Sequence, residues 1–250
     1  MNQQSDLTTI DNSRVLSELA PSGTLRVAIN LGNPVLVQRD LDTGVLGGVA
    51  PEIARNLAAR LGVELNFLPF DTPGLITDSA NMDTWDVALL AIEPARQEVI
   101  DFTSPYLAIE GAYIVRTDST VVNLAAVDQK NVRIAVGMKT AYELFLSRNI
   151  RFAELVHAPD SETAFQYFLD QNLEAAAGIR PALDKLAAEH SELRIVKEPF
   201  MTINQAMGVP KGRRAAAAYL RKFVEEIKEN GFVASQLEKS GQSSSMAIRQ

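Results

Sequence analysis

Short unbroken apolar runs alternate along this chain with longer stretches in which apolar residues return every three or four positions. That is the pattern of buried parallel strands separated by amphipathic helices. Leu25 to Asn30 (LRVAIN) predicts the first strand, and Pro51 opens a helix whose Ile53, Leu57 and Leu61 share a face until Gly62. Val63 to Pro69 predicts a second strand ending at Phe70, and Val87 to Ile92 a third, apolar at every position. Ala108 to Val115, interrupted by Glu110-Gly111, reads as a strand that could cross between two parts of the molecule. Val132 to Gly137 is another buried strand, leading through Met138-Lys139-Thr140-Ala141 into a helix from Tyr142 to Arg148.

The alternation continues to the end. Asp160 or Ser161 caps a helix carrying Ala164, Phe165, Phe168 and Leu169, and Ala175–Ile179 precedes a helix from Pro181 to Glu189. Leu193–Val196 reads as an edge strand and Asn204 to Val209 as a return strand. Arg214 to Asn230 then places Leu220, Phe223, Val224 and Ile227 on one helical face and stops at Gly231. Residues 1–12 are polar and expected to fray, Ser13 can cap a short helix, and the tail after Gly241 offers little to pack. Strands and helices in strict alternation define an α/β chain with no visible sequence repeat or linker, so any two lobes would be joined by strands rather than a tether.

In open α/β sheets, ligands bind beyond the carboxyl ends of the strands. That rule draws attention to Asn30 and Asn33 after the first strand and to Arg96 after the unbroken run, where a permanently charged planar fork could clamp a carboxylate or phosphate. The alternative is that Arg96 only pairs with Glu93 or Glu98 on the surface. The junction at Met138–Ala141 exposes amide groups at the positive end of a helix, a second place where an anion is welcome.

Composition removes several classes. The 250 residues are 46% hydrophobic and carry a net charge of −7, which gives no basic face for nucleic acid or an anionic membrane. No cysteine is present, and the two histidines, His157 and His190, have no ligand spacing, so neither metal nor cofactor is expected. No phosphate-cradling glycine motif and no nucleophile elbow occurs. The N-terminal MNQQSDLTTIDNSR lacks the charge and apolar core of a signal peptide, which predicts a cytoplasmic protein, or a periplasmic one if a leader has been removed.

The segments LRVAINLGNP, GGVAPEIARNLAARLGVELNFLPFD, WDVALLAIEPARQEVIDFTSPY, VRIAVGMKTAYELFL and AMGVPKGRRAAAAYLRKFVEEIKENG occur in this order. Together they make the chain resemble the family 3 extracellular solute-binding proteins, of type II periplasmic-binding fold, which deliver polar amino acids to ABC transporters. The resemblance implies one lobe from residues 22–110 plus 206–241 and another from 111–205, between an N-terminal extension (1–21) and a flexible tail (242–250). A monomer closing by a hinge on a small carboxylate or amino-acid-like ligand, either as the partner of an ABC permease or as an orphan binder, is what such a likeness implies. It assigns the ligand carboxylate to Arg96 and the second-lobe anion loop to Gly137–Ala141, with Thr140 as a candidate and Lys139 as a departure. The cleft would be lined by Asn30, Asn33, Phe70, Glu93, Arg96, Lys139, Thr140 and Arg180.

Two further departures concern the ligand's amine. Glu93 stands where amino-acid binders usually have threonine, and Ile179-Arg180 where they have the amine-accepting aspartate. Either Glu93 takes over the amine, or the ligand is not an α-amino acid and a small carboxylate is held by Arg96, Lys139 and Arg180. The alternative activity is an enzyme resembling cyclohexadienyl dehydratase, with Glu93 as a general acid.

Overall fold

A computed structural model of the chain describes residues 12–249; the expectations for residues 1–11 lie outside them. The strands are β1 (Thr24–Asn30), β2 (Gln38–Arg39), β3 (Leu46–Gly47), β4 (Glu64–Phe70), β5 (Val87–Ala91), β6 (Ile100–Phe102), β7 (Leu107–Arg116), β8 (Arg133–Gly137), β9 (Glu154–Ala158), β10 (Ala175–Ile179), β11 (Leu193–Ile195) and β12 (Met201–Pro210). The α-helices are α1 (Asn12–Leu19), α2 (Val49–Leu61), α3 (Pro73–Asp78), α4 (Pro94–Gln97), α5 (Ala141–Asn149), α6 (Ser161–Asp170), α7 (Arg180–Glu189), α8 (Arg214–Glu229) and α9 (Phe232–Lys239).

Two lobes are built around β7 and β12, which are antiparallel and pair with each other from Leu107↔Gln205 to Gly111↔Met201. On one side of this crossing, β12 pairs with β5 and β6, and β5 and β4 flank β1 in parallel. On the other, β7 pairs with β11 and β10, and β10 and β9 flank β8 in parallel. The hydrogen-bonded ladder is therefore continuous, but only through the two crossing strands. The all-apolar run became β5, buried at every residue. In the first lobe Leu57, Leu220 and Phe223 cover one face of the sheet, and Ile76 and Trp85 the other. In the second lobe Phe165, Phe168 and Leu183 from α6 and α7 form a separate cluster.

The lobes repeat one polar device that no sequence repeat announces. Arg26 in β1 donates its backbone N–H (3.0 Å) and Nε (3.0 Å) to Asp86 Oδ2 and its Nη2 to Oδ1 (2.8 Å). Arg133 in β8 makes the same three bonds to Glu174, at 2.7, 2.9 and 2.8 Å. Each acid immediately precedes the neighbouring strand, β5 or β10. The device thus staples two parallel strands at their amino ends, the end opposite the ligand side.

Several expectations are corrected. Helix α2 begins at Val49, two residues before Pro51, because Gly48 at φ 95° turns the chain into it, and a Cβ there would lie 2.7 Å from the Leu36 carbonyl oxygen. Pro51 is tolerated because the first-turn amides have no intrahelical acceptor to lose. The loop expected at Asp101–Tyr106 starts inside β6, and Glu110-Gly111 does not interrupt β7. Helices α3, α4 and α9 and strand β9 were not anticipated. The tail does find partners: Ala247 bridges to Leu107, and the Ile248 N–H donates to the Tyr106 carbonyl oxygen at the crossing (3.1 Å).

Candidate functional site

The carboxyl ends of β5 and β8 face each other across the interlobe junction, and Arg96 is its centre. Glu93 caps α4 by accepting from the Ala95 N–H (3.1 Å), which turns the chain out of β5 and brings Arg96 back toward it. The Arg96 side chain is 2% exposed. Its Nη1 donates to the Ala91 carbonyl oxygen and its Nη2 to the Lys139 carbonyl oxygen on the other lobe, each at 2.9 Å. Nε, also buried, finds no acceptor among the described residues. Burial pulls the guanidinium down to about 10, with the nearby charge of Glu93 acting the other way. It therefore stays cationic at neutral pH, and among the described residues its hydrogen bonds go to neutral carbonyl oxygens. A buried cation in this condition is a recipient for an anion.

The second-lobe loop is set by its own cap. Thr140 Oγ1 accepts from the Glu143 N–H (3.1 Å) and donates to the Gly137 carbonyl oxygen (2.8 Å), so its hydroxyl is taken up in shaping the loop. Glu143 in turn accepts from the Lys139 N–H (2.9 Å). Lys139 stands at φ 57°, and the bend aims its carbonyl at Arg96 while its Nζ reaches Asp78 at the end of α3 (2.6 Å).

Glu93 is 3% exposed and pairs with Arg148, which reaches from the last turn of α5 in the second lobe. Three polar links therefore join the lobes here: Arg96 to the Lys139 carbonyl, Lys139 to Asp78, and Arg148 to Glu93. At the same junction Gly74 of α3 lies against the Lys139 side chain.

Of the residues expected to line the cleft, Glu93, Arg96, Lys139 and Thr140 meet at this junction. Asn30, the last residue of β1, and Asn33, in the loop that follows, are buried, and their Oδ1 atoms accept from the Gly32 (3.1 Å) and Val35 (3.2 Å) N–H groups and shape the loop. Phe70 packs against the cluster of Ile76 and Trp85. Arg180 does not point to the junction: it pairs with Glu110 on β7 and donates to the Lys197 carbonyl oxygen (2.7 Å). The surface pairing considered for Arg96 is not what the structure shows. Sequence reasoning missed Arg148, Asp78 and Gly74. Arg148 lies two helical turns beyond Ala141 on the same face, a spacing that could have revealed it.

Two α/β lobes joined by a pair of crossing strands, with a buried arginine between them, define a binding protein of the two-lobed type II architecture. The chain belongs to the bacterial extracellular solute-binding proteins, family 3, which it matches over residues 25–242. It is 25% identical over 228 residues to the L-cystine-binding protein TcyJ of Escherichia coli (strain K12), covering 90% of this chain and 85% of that protein. It is 27% identical over 231 residues to a cyclohexadienyl dehydratase of Pseudomonas aeruginosa, covering 89% and 84%. Among solved structures it is similar to the amino acid ABC transporter substrate-binding protein AbpA of Streptococcus pneumoniae, bound to L-arginine. There the TM-score is 0.76, the identity 20%, and the coverage 92% of this chain and 99% of that one. Among the described residues no helix is long and apolar enough to cross a membrane.

Proposed function

We propose that this protein is the solute-binding component of an importer, in which the two lobes close on a small ligand whose carboxylate is held by Arg96. The single observation that carries the reading is the state of that guanidinium: buried at the interlobe junction and, among the described residues, bonded only to the Ala91 and Lys139 carbonyl oxygens, with Nε lacking an acceptor. A two-pronged carboxylate suits such a fork better than it suits any other side-chain cation. The lobes are taken as residues 22–110 with 206–241 and residues 111–205, because pairing passes from one lobe to the other near Gly111 and Gln205. Closure by rotation about β7 and β12 would deliver the ligand, from a monomer, to an ABC permease; names of relatives and fold neighbours support that partner class. The test is a thermal-shift screen of small carboxylates, with calorimetry on those that stabilise the protein. No stabilisation by any carboxylate would contradict the reading.

The dehydratase relative supports a second reading, in which Glu93, buried near Arg96, is a general acid. Its carboxylate is already bonded to Arg148 and the Ala95 N–H, which favours binding over catalysis. Mass spectrometry of a stabilising carboxylate after incubation with the protein separates the two, because only an enzyme generates a new product.

A further inference from the structure

Among the described residues, the cations that could face the interlobe junction have carboxylate partners, except Arg96. Lys139 pairs with Asp78 and Arg148 with Glu93, while Arg180 is drawn away to Glu110. The two lobe-closing pairs differ in kind. Lys139 and Asp78 are both more than half exposed and sit at the rim. Glu93 is 3% exposed, beside Arg96, and Arg148 meets it with a side chain that remains 45% exposed. One carboxylate oxygen of Glu93 accepts from Arg148, the other from the Ala95 N–H.

We propose that Arg148 is a specificity-determining residue: by occupying Glu93 from the second lobe it takes up the buried carboxylate beside Arg96, so the cleft selects a small carboxylate that lacks an ammonium group. This rests on the reading of Arg96 as the carboxylate anchor. With both pairs formed, Arg96 is, among the described residues, the junction cation left without a carboxylate bonded to it, and a ligand carboxylate can supply one. An α-amino acid brings a carboxylate and an ammonium together. Its ammonium would have to share Glu93 with Arg148, two like charges on one desolvated acceptor, or displace Arg148 into solvent and break the link that closes the lobes. A ligand bearing a hydroxyl in place of the ammonium leaves the Glu93–Arg148 pair intact. Arg148 in this role is a selector acting through Glu93, not a direct anchor.

The test uses matched pairs that differ only in that group: L-lactate with L-alanine, 2-hydroxyisovalerate with L-valine, and L-malate with L-aspartate. Calorimetry is run on the wild type, Arg148→Gln, Arg148→Lys and Arg96→Lys. In at least one pair the wild type should bind the hydroxy acid about tenfold or more tightly than the amino acid. Arg148→Gln should bring that ratio to about threefold or below, or invert it, and Arg148→Lys should retain the preference. A purely structural link between the lobes would weaken both members equally and leave the ratio unchanged, and that result overturns the proposal. So does a wild type that prefers the amino acid. A ratio that collapses in Arg148→Gln while Arg96→Lys binds as tightly as the wild type would overturn the Arg96 anchor alone. No binding in any pair would overturn both.

Discussion

Arg96 donates through Nη2 to the carbonyl oxygen of Lys139 at 2.9 Å, so a guanidinium rooted beyond β5 in one lobe ends on the loop that opens α5 in the other. What meets Arg96 is the backbone of residue 139, not its ammonium, and the left-handed conformation there (φ 57°) turns that carbonyl inward. Lysine accepts such a conformation at a cost that glycine does not carry. Lys139→Gly keeps the carbonyl, relieves about 1 kcal/mol of backbone strain and removes a rim pair with Asp78 and the packing of the side chain against Gly74. The expected result is an unchanged or higher melting temperature and carboxylate affinity within about threefold of wild type. A loss of about tenfold or more would instead make the Lys139 ammonium part of the anchor.

Gly74 meets the same residue from the opposite lobe. A Cβ on Gly74 would fall 2.5 Å from Cδ and 2.7 Å from Cβ of Lys139, too close for the lobes to keep this approach. Gly74→Ala is therefore expected to hold the lobes apart. Small-angle scattering should give a larger radius of gyration in the presence of ligand, and affinity should fall, while the melting temperature of the unliganded protein stays close to wild type. An unaltered scattering curve would place the closing contact elsewhere.

The strand staple of the second lobe makes a prediction about pH. Bonds from the Arg133 guanidinium hold the Glu174 carboxyl below the ordinary glutamate range, against the opposing effect of burial. A carboxyl depressed in the folded state contributes stability that is present in full above its unfolded value, about 4.3, and is lost as pH falls through the folded value. Wild type should therefore melt higher than Glu174→Gln at neutral pH, and the gap should narrow below about pH 4 and close in stronger acid. A gap independent of pH would mean that shape, not charge, makes the difference.

Much of this architecture was legible because buried parallel strands leave unbroken apolar runs. Leu25–Asn30, Val87–Ile92, Val132–Gly137 and Ala175–Ile179 correspond to β1, β5, β8 and β10 to within a residue at either end. Strand β9 was not legible, since in ELVHA only Ala158 is fully buried and the segment lies at the edge of the sheet. Helix α3, and with it Asp78, leaves little trace in the sequence because it is only six residues long. Arg180 was expected at the ligand because the family resemblance places a ligand-contacting residue where the second-lobe strand β10 ends, just before it. Its partner was decided by register: Ile179 lies opposite Gly111, which brings Glu110 within reach, and no sequence pattern encodes that pairing. Arg148 in the last turn of α5 meets Glu93, 55 residues away on the other lobe, and no local pattern encodes that pairing.

The account depends most on Arg96 as a two-pronged anchor at the interlobe junction. Arg96→Lys keeps the charge and removes the fork, so the direct measurement is isothermal calorimetry of both proteins with the small carboxylate that most raises the wild-type melting temperature. The predicted result is at least about tenfold weaker binding in the lysine variant, about 1.4 kcal/mol, with the unliganded proteins melting at nearly the same temperature. Equal affinity would contradict the account and leave Arg96 as a buried tie between two carbonyl oxygens.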